Sequence, residues 1–67
     1  MKENINKTNQ ILTEKEVSEL LKISVKTLQS WRHQSKNLPY FKIGRTVKYK
    51  LSDIREYLES VEQKVLL

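Results

Sequence analysis

Side chains that could perform acid–base, nucleophilic or metal chemistry are sparse in this 67-residue sequence. It has one histidine, one aspartate and no cysteine, so neither a thiolate metal site nor a cysteine nucleophile can form. His33 has no neighbour at metal-ligand spacing, and the single glycine, Gly44, excludes a glycine-rich phosphate loop. The glutamates that could pair for acid–base chemistry lie at predicted helix starts or on a wet helix face, where they solvate the surface and complement helix dipoles. They are Glu14, Glu16, Glu56, Glu59 and Glu62. We therefore expect no catalysis, no cofactor and no metal.

The chemistry that the sequence does offer is polyanion binding. Residues 22–50 contain eight basic residues and no acidic one, whereas residues 1–21 and 51–67 each contain more acidic than basic residues. Because ordinary protein surfaces mix both signs, so long a stretch without a carboxylate favours a binding segment over a merely solvated face. The basic residues are Lys22, Lys26, Arg32, Lys36, Lys42, Arg45, Lys48 and Lys50.

Length and composition limit the scaffold that can present this basic segment. A chain of this size makes at most one domain, with a core too small for an enclosed active site. Its apolar runs are far shorter than the roughly 20 residues of a membrane span, and no secretory signal is visible. We expect a cytoplasmic protein with a flexible leader at residues 1–10, a folded domain at 11–60, and the end of the last helix and a tail at 61–67.

Capping signals predict two helices joined by a tight turn. Thr13 and Glu16 have the spacing of a capping box, which starts a helix over residues 14–22. Ser24 is the next N-cap candidate, so that only two residues separate the helical patterns. Helices connected so closely must turn sharply, which is the helix-turn-helix arrangement.

The second predicted helix is amphipathic and runs towards Leu38-Pro39, where the proline ends it. Leu28, Trp31 and Ser35 share one side at helical spacing. No acidic residue in its first turn opposes the helix dipole, so a phosphate could bind there together with Lys26. The opposite stripe consists of hydrogen-bonding side chains, namely Lys26, Gln29, Ser30, His33 and Asn37.

After Pro39 the apolar period changes from helical to alternating, which predicts a β-hairpin around Gly44-Arg45. Phe41, like Trp31, is expected to be a core residue rather than a base-stacking platform. Arg45 at the hairpin tip suits a minor groove or a row of phosphates. A third helix then follows, with Ser52 as its N-cap and apolar residues at helical spacing: Ile54, Tyr57, Leu58, Val61 and Val65.

Taken together, these segments resemble the excisionase-type winged helix-turn-helix domain, a group akin to the MerR-type DNA-binding domains. The resemblance covers roughly residues 11–60. In this sequence Lys22 stands where such turns commonly have glycine, and Ser18 stands where alanine is common. The matching segments are Leu12 to Ser24, Thr27-Leu28, Trp31, Leu38 to Arg45, and Ser52 to Ile54.

The resemblance implies a mainly α winged helix-turn-helix fold and a small double-stranded DNA-binding protein of a phage, plasmid or genomic island. The second helix would enter the major groove, and the hairpin wing would contact backbone or minor groove. The implied recognition-helix residues are Ser24, Val25, Lys26, Thr27, Gln29, Ser30 and His33. The implied wing residues are Lys42, Arg45, Thr46 and Lys48.

Several alternatives remain open at this point. The protein could act as a recombination directionality factor that assists an integrase or recombinase, or as a small transcriptional regulator of the mobile element. A different class of function is a non-catalytic adaptor whose basic face meets an acidic protein. RNA binding is less favoured, because no exposed aromatic sheet or Gly-x-x-Gly loop is evident. The C-terminal apolar residues could join a second copy or close the core: Val61, Val65, Leu66 and Leu67.

Overall fold

The computed structural model of the protein describes residues 10–64. The predicted leader, apart from Gln10, and the predicted role of the C-terminal residues 65–67 therefore lie outside the described residues. The elements in chain order are β1 (Ile11–Thr13), α1 (Glu14–Leu21), α2 (Val25–His33), β2 (Phe41–Ile43), β3 (Thr46–Lys50) and α3 (Leu51–Lys64). The predicted mainly helical fold with a hairpin wing is confirmed. Among the described residues, no helix is both long and apolar enough to cross a membrane.

The capping box at the start of α1 forms as predicted. The Thr13 hydroxyl accepts a hydrogen bond from the Glu16 backbone N–H at 3.0 Å, and the Glu16 carboxylate accepts one from the Thr13 N–H at 2.8 Å. The helix ends at Leu21, one residue earlier than predicted, because Lys22 adopts the left-handed conformation with φ of 61°. The Ser18 hydroxyl donates to the Ile23 carbonyl oxygen at 2.7 Å, so a serine at this position ties the turn to the helix.

Replacing Lys22 by glycine is expected to stabilise the domain by about 0.5–1 kcal/mol. A residue with a Cβ is strained at positive φ, whereas glycine adopts that region freely. Glycine's greater freedom in the unfolded chain offsets part of this gain. Chemical denaturation of Lys22→Gly against wild type measures the difference, and Lys26→Gly, within α2, is the contrasting variant that should lose stability. An unchanged or lower midpoint for Lys22→Gly would mean that the turn carries no such strain.

Helix α2 begins as predicted and ends earlier than predicted. The Ser24 hydroxyl accepts from the Thr27 backbone N–H at 3.0 Å, which confirms the cap. The helix stops at His33, and Ser35 and Asn37 both have positive φ. Asparagine tolerates that region better than most residues do, and the chain must leave the helix before Pro39. The expectation that Ser35 and Asn37 continue the two faces of the helix is therefore wrong.

The wing belongs to a three-stranded antiparallel sheet in the order β1-β3-β2. Strand β1 was not predicted, because three residues are too short for a recognisable alternation; it exists through pairing with β3, with Leu12 opposite Tyr49. Gly44, with φ of 62°, occupies the first position of a two-residue turn, where positive φ suits the hairpin twist. Because α3 begins at Leu51 directly after β3, Ser52 is already inside the helix and the prediction of Ser52 as N-cap is wrong.

A small core lies between the helices and the sheet. Trp31 is half-buried and packs edge-on against Tyr57, with ring centroids 5.7 Å apart. Phe41 is only half-buried and lies outside the buried cluster, so its expected place in the core is wrong; the wing projects beyond the body at this point. The buried residues are Leu12, Val17, Leu28, Leu38, Tyr49 and Ile54.

Candidate nucleic-acid interface

The outward face of α2 presents four polar side chains to solvent. Lys26, Gln29, Ser30 and His33 are all exposed, and at about 100° per residue they form one stripe opposite the buried Leu28. Val25 and Thr27, the other helical members of the predicted set, are half-buried at the edges of that stripe. The stripe therefore comprises four of the seven predicted recognition-helix residues.

Ser24 and Thr27 have a structural task at the start of α2. The Ser24 side chain caps the helix, and its hydroxyl lies 3.0 Å from that of Thr27. Both hydroxyls are therefore occupied locally, although the Ser24 residue as a whole is exposed. The first turn contains no acidic residue, so the positive end of this helix dipole faces solvent with Lys26 beside it.

The wing carries its predicted basic residues at its tip and along both strands. Lys42, Arg45 and Thr46 are exposed, and Lys48 is half-buried. The Thr46 hydroxyl donates to the Ile43 carbonyl oxygen at 2.7 Å, so this side chain closes the turn that holds Arg45 at the tip. Thr46 therefore shapes the wing, while the three basic side chains provide its positive charge.

A groove, the wing groove, lies between the wing and the start of α1. Its volume is about 460 Å³, and it is lined by the predicted wing residues together with Thr13, Glu14, Lys15, Arg32 and Val47. Lys15 was missed by the sequence reasoning, because the surrounding segment 1–21 is slightly acidic overall. No local signal marks Lys15, because its place beside the wing depends on the folded arrangement of α1 and the sheet. The structure thus brings to one groove four basic side chains that form no ion pair within residues 10–64: Lys15, Lys42, Arg45 and Lys48.

Arg32 is basic but is engaged inside the protein. Its Nε and Nη2 atoms donate to the two carboxylate oxygens of Glu14 at 3.2 and 3.3 Å, and its guanidinium carbon lies 5.8 Å from the centre of the Tyr40 ring. The hydrogen bonds that Arg32 donates to Glu14 raise the pKa of Arg32. One of the eight positive charges in residues 22–50 is therefore neutralised locally.

The same carboxylate also holds the Tyr49 phenol. Tyr49 is 2% exposed, and its hydroxyl donates to Glu14 Oε2 at 3.0 Å. Burial, followed by the hydrogen bond and charge of Glu14, raises the pKa of Tyr49 to about 12. The folded protein therefore keeps the Tyr49 phenol neutral at pH values well above the ordinary pKa of tyrosine.

The raised pKa of Tyr49 predicts a late step in an alkaline titration. We expect Tyr49 to ionise only as the pH rises towards 12, as measured by ultraviolet absorbance of tyrosinate. Because the folded-state pKa is above the unfolded one, its stabilising contribution is complete below about pH 10 and is lost as the pH rises through 12. Tyr49→Phe should remove the late step; its persistence in that variant would assign it to another tyrosine.

These features, together with the family model, define the class of the protein: two helices joined by a tight turn, followed by a basic hairpin, form a DNA-binding helix-turn-helix domain. The family model of the helix-turn-helix domain matches residues 11–61, and the chain belongs to this family. Such domains are typically non-enzymatic. No curated protein and no solved structure matches the chain significantly. Among the described residues, no group of three His, Cys, Asp or Glu side chains could hold a metal ion.

Proposed function

We propose that the protein binds double-stranded DNA in a sequence-specific manner, with α2 in the major groove and the wing on the adjacent backbone or minor groove. The observation that supports this most is the sign of the charge around the wing groove. Besides Arg32, four basic side chains line it, and its one acidic lining residue, Glu14, accepts hydrogen bonds from Arg32 and Tyr49. A DNA backbone would therefore meet positive charge there without an unpaired carboxylate.

The two halves of the surface suit different contacts. Gln29 lies about 60° around α2 from Arg32, which lines the wing groove. A glutamine at such a position can bond an adenine edge through both amide atoms, whereas the wing cations suit phosphates. Lys26, beside the free N–H groups of α2, suits a phosphate as well. We therefore assign base reading to α2, with Gln29 central, and sequence-independent affinity to the wing.

We further propose that the protein serves a mobile genetic element, either as an excisionase-type recombination directionality factor or as a transcriptional regulator. The likeness of its turn and wing residues to the excisionase-type group supports the first role. Its partners would then be an integrase or recombinase, or a second copy on adjacent sites. Measuring excision of the element in cells with and without the protein separates the roles: loss of excision supports the first, and altered transcription alone supports the second.

Selection from a pool of random duplexes, followed by affinity measurements across a salt series, tests DNA binding itself. We expect one enriched motif and a steep loss of affinity with salt, with a log–log slope of about −4 to −5 for five neutralised phosphates. The five cations counted here are Lys26 and the four of the wing groove. Without detectable duplex binding at low salt, the alternative of an adaptor with a basic face would be favoured.

Arg45→Ala tests the assigned role of the wing. We expect this change to weaken binding to all duplexes, most of all those with a narrow minor groove, and to reduce the salt slope by about one unit. Lys50→Ala is the matched control, because Lys50 is an exposed cation at the opposite end of β3 from the tip. Fluorescence anisotropy on cognate and scrambled duplexes gives both numbers. Equal slopes for the two variants would contradict a specific contact at the wing tip.

A further inference from the structure

One carboxylate connects three elements that the DNA-binding surface needs. Glu14 is the first residue of α1; it accepts hydrogen bonds from Arg32 near the end of α2 and from Tyr49 near the end of β3. Strand β3 is the inner strand of the wing, since it pairs with β2 on one side and β1 on the other. The recognition helix and the wing are therefore linked through the side chain of Glu14.

The geometry of this link restrains orientation as well as distance. Arg32 uses two donors of its planar guanidinium against both oxygens of Glu14, at 3.2 and 3.3 Å, and a forked pair of this kind has few alternative arrangements. The Arg32 and Glu14 side chains are only 17% and 16% exposed, so solvent screens the pair weakly. Tyr49 fixes β3 in this link, because its ring is buried in the core.

Within the proposed function, we propose that Glu14 is a positioning residue that fixes the wing relative to α2 and so sets the span between the two DNA contacts. Glu14 itself would touch no DNA, because its two oxygens are used by Arg32 and Tyr49. A wing held at one angle keeps Arg45 at one distance from α2. That distance can then match the spacing between the two DNA grooves that α2 and the wing contact. A wing free to pivot would lose part of that contact to conformational entropy.

The span can be measured in the protein without DNA. The chain has no cysteine, so Gln29→Cys with Arg45→Cys places one spin label on α2 and one on the wing tip without further changes. We expect a single narrow distance distribution in the otherwise wild-type protein and a broader one in Glu14→Gln and in Tyr49→Phe. Both changes preserve side-chain shape closely. Glu14→Gln removes the negative charge of the acceptor, and Tyr49→Phe removes the hydroxyl donor.

Two control variants separate positioning from general stability. Glu16→Gln removes a carboxylate from the same turn of α1 without touching Arg32 or Tyr49. Ile54→Val loosens the core in α3 without removing a hydrogen-bond partner of Glu14. Both should keep the narrow distribution, even where the unfolding midpoint falls.

A double-mutant cycle on the duplex recovered by random selection gives the functional test. We compare the fold loss caused by Arg45→Ala in wild type with the loss in Glu14→Gln and Tyr49→Phe. If Glu14 positions the wing, the loss should be smaller in these backgrounds by about threefold or more. The affinity of Glu14→Gln itself does not test the proposal, because this change also frees Arg32 to approach a phosphate. The test is the fold loss that Arg45→Ala causes in each background.

The outcomes are distinct. Unchanged distances in Glu14→Gln and Tyr49→Phe, or an Arg45→Ala loss equal in all backgrounds, would show that Glu14 only stabilises the fold, and the inference would be wrong. Failure to bind any duplex would overturn the proposed function instead, while the label distances would still decide whether Glu14 positions the wing.

Discussion

Leu28→Ala should leave the domain largely unfolded. Leu28 is the residue by which α2 enters the core, and it is 1% exposed. Removing a buried leucine side chain costs about 2–5 kcal/mol, since the lost transfer free energy is joined by the cost of the remaining cavity. A domain of fewer than about 70–80 residues rarely has more than 3–5 kcal/mol in total. The expected loss is therefore comparable to the whole stability.

Leu20→Ala is the matched control for this experiment. Leu20 is 52% exposed on α1, so the same substitution removes little buried surface, and alanine is a good helix former. We expect its stability to change by about 0.5 kcal/mol or less. The sole tryptophan, Trp31, packs against Tyr57 and so reports unfolding by fluorescence, with circular dichroism alongside. A stably folded Leu28→Ala variant would show that α2 is held mainly by other contacts.

Most of the fold could be predicted because its signals are local. The capping box of Thr13 and Glu16, the cap at Ser24 and the change of period after Pro39 each act over a few residues. They therefore define α1, the turn, the start of α2 and the hairpin. Elements that depend on pairing or on backbone strain were missed: β1 exists only against β3, and the positive φ at Ser35 ends α2 early.

The candidate site was predictable only in part for a related reason. The outward stripe of α2 and the charge of the wing follow from spacing and residue type within one element. The bonds of Glu14 to Arg32 and to Tyr49 join residues 18 and 35 positions apart, and no local pattern marks such contacts. Lys15 and the neutralisation of Arg32 therefore emerge only when the chain is folded.

Gln29→Ala should selectively weaken binding to the cognate duplex. Gln29 is exposed on α2, about 60° around the helix from Arg32, which lines the wing groove. A glutamine that bonds an adenine through both its amide oxygen and nitrogen contributes about 1–3 kcal/mol of discrimination, which corresponds to roughly 5- to 150-fold in affinity. Because this contact reads a base, its loss should leave binding to scrambled duplexes and the salt slope unchanged.

The selectivity of the effect is what distinguishes Gln29 from the cations around it. Gln34→Ala is the matched control, because Gln34 lies just beyond α2 and its amide is bound to the Ser30 hydroxyl at 2.8 Å. It should leave discrimination between cognate and scrambled duplexes intact. Repeating the random-duplex selection with Gln29→Ala should relax the motif at one base pair and preserve the rest. A folded Gln29→Ala variant that keeps the full motif and the full cognate affinity would mean that another face of the domain reads the DNA.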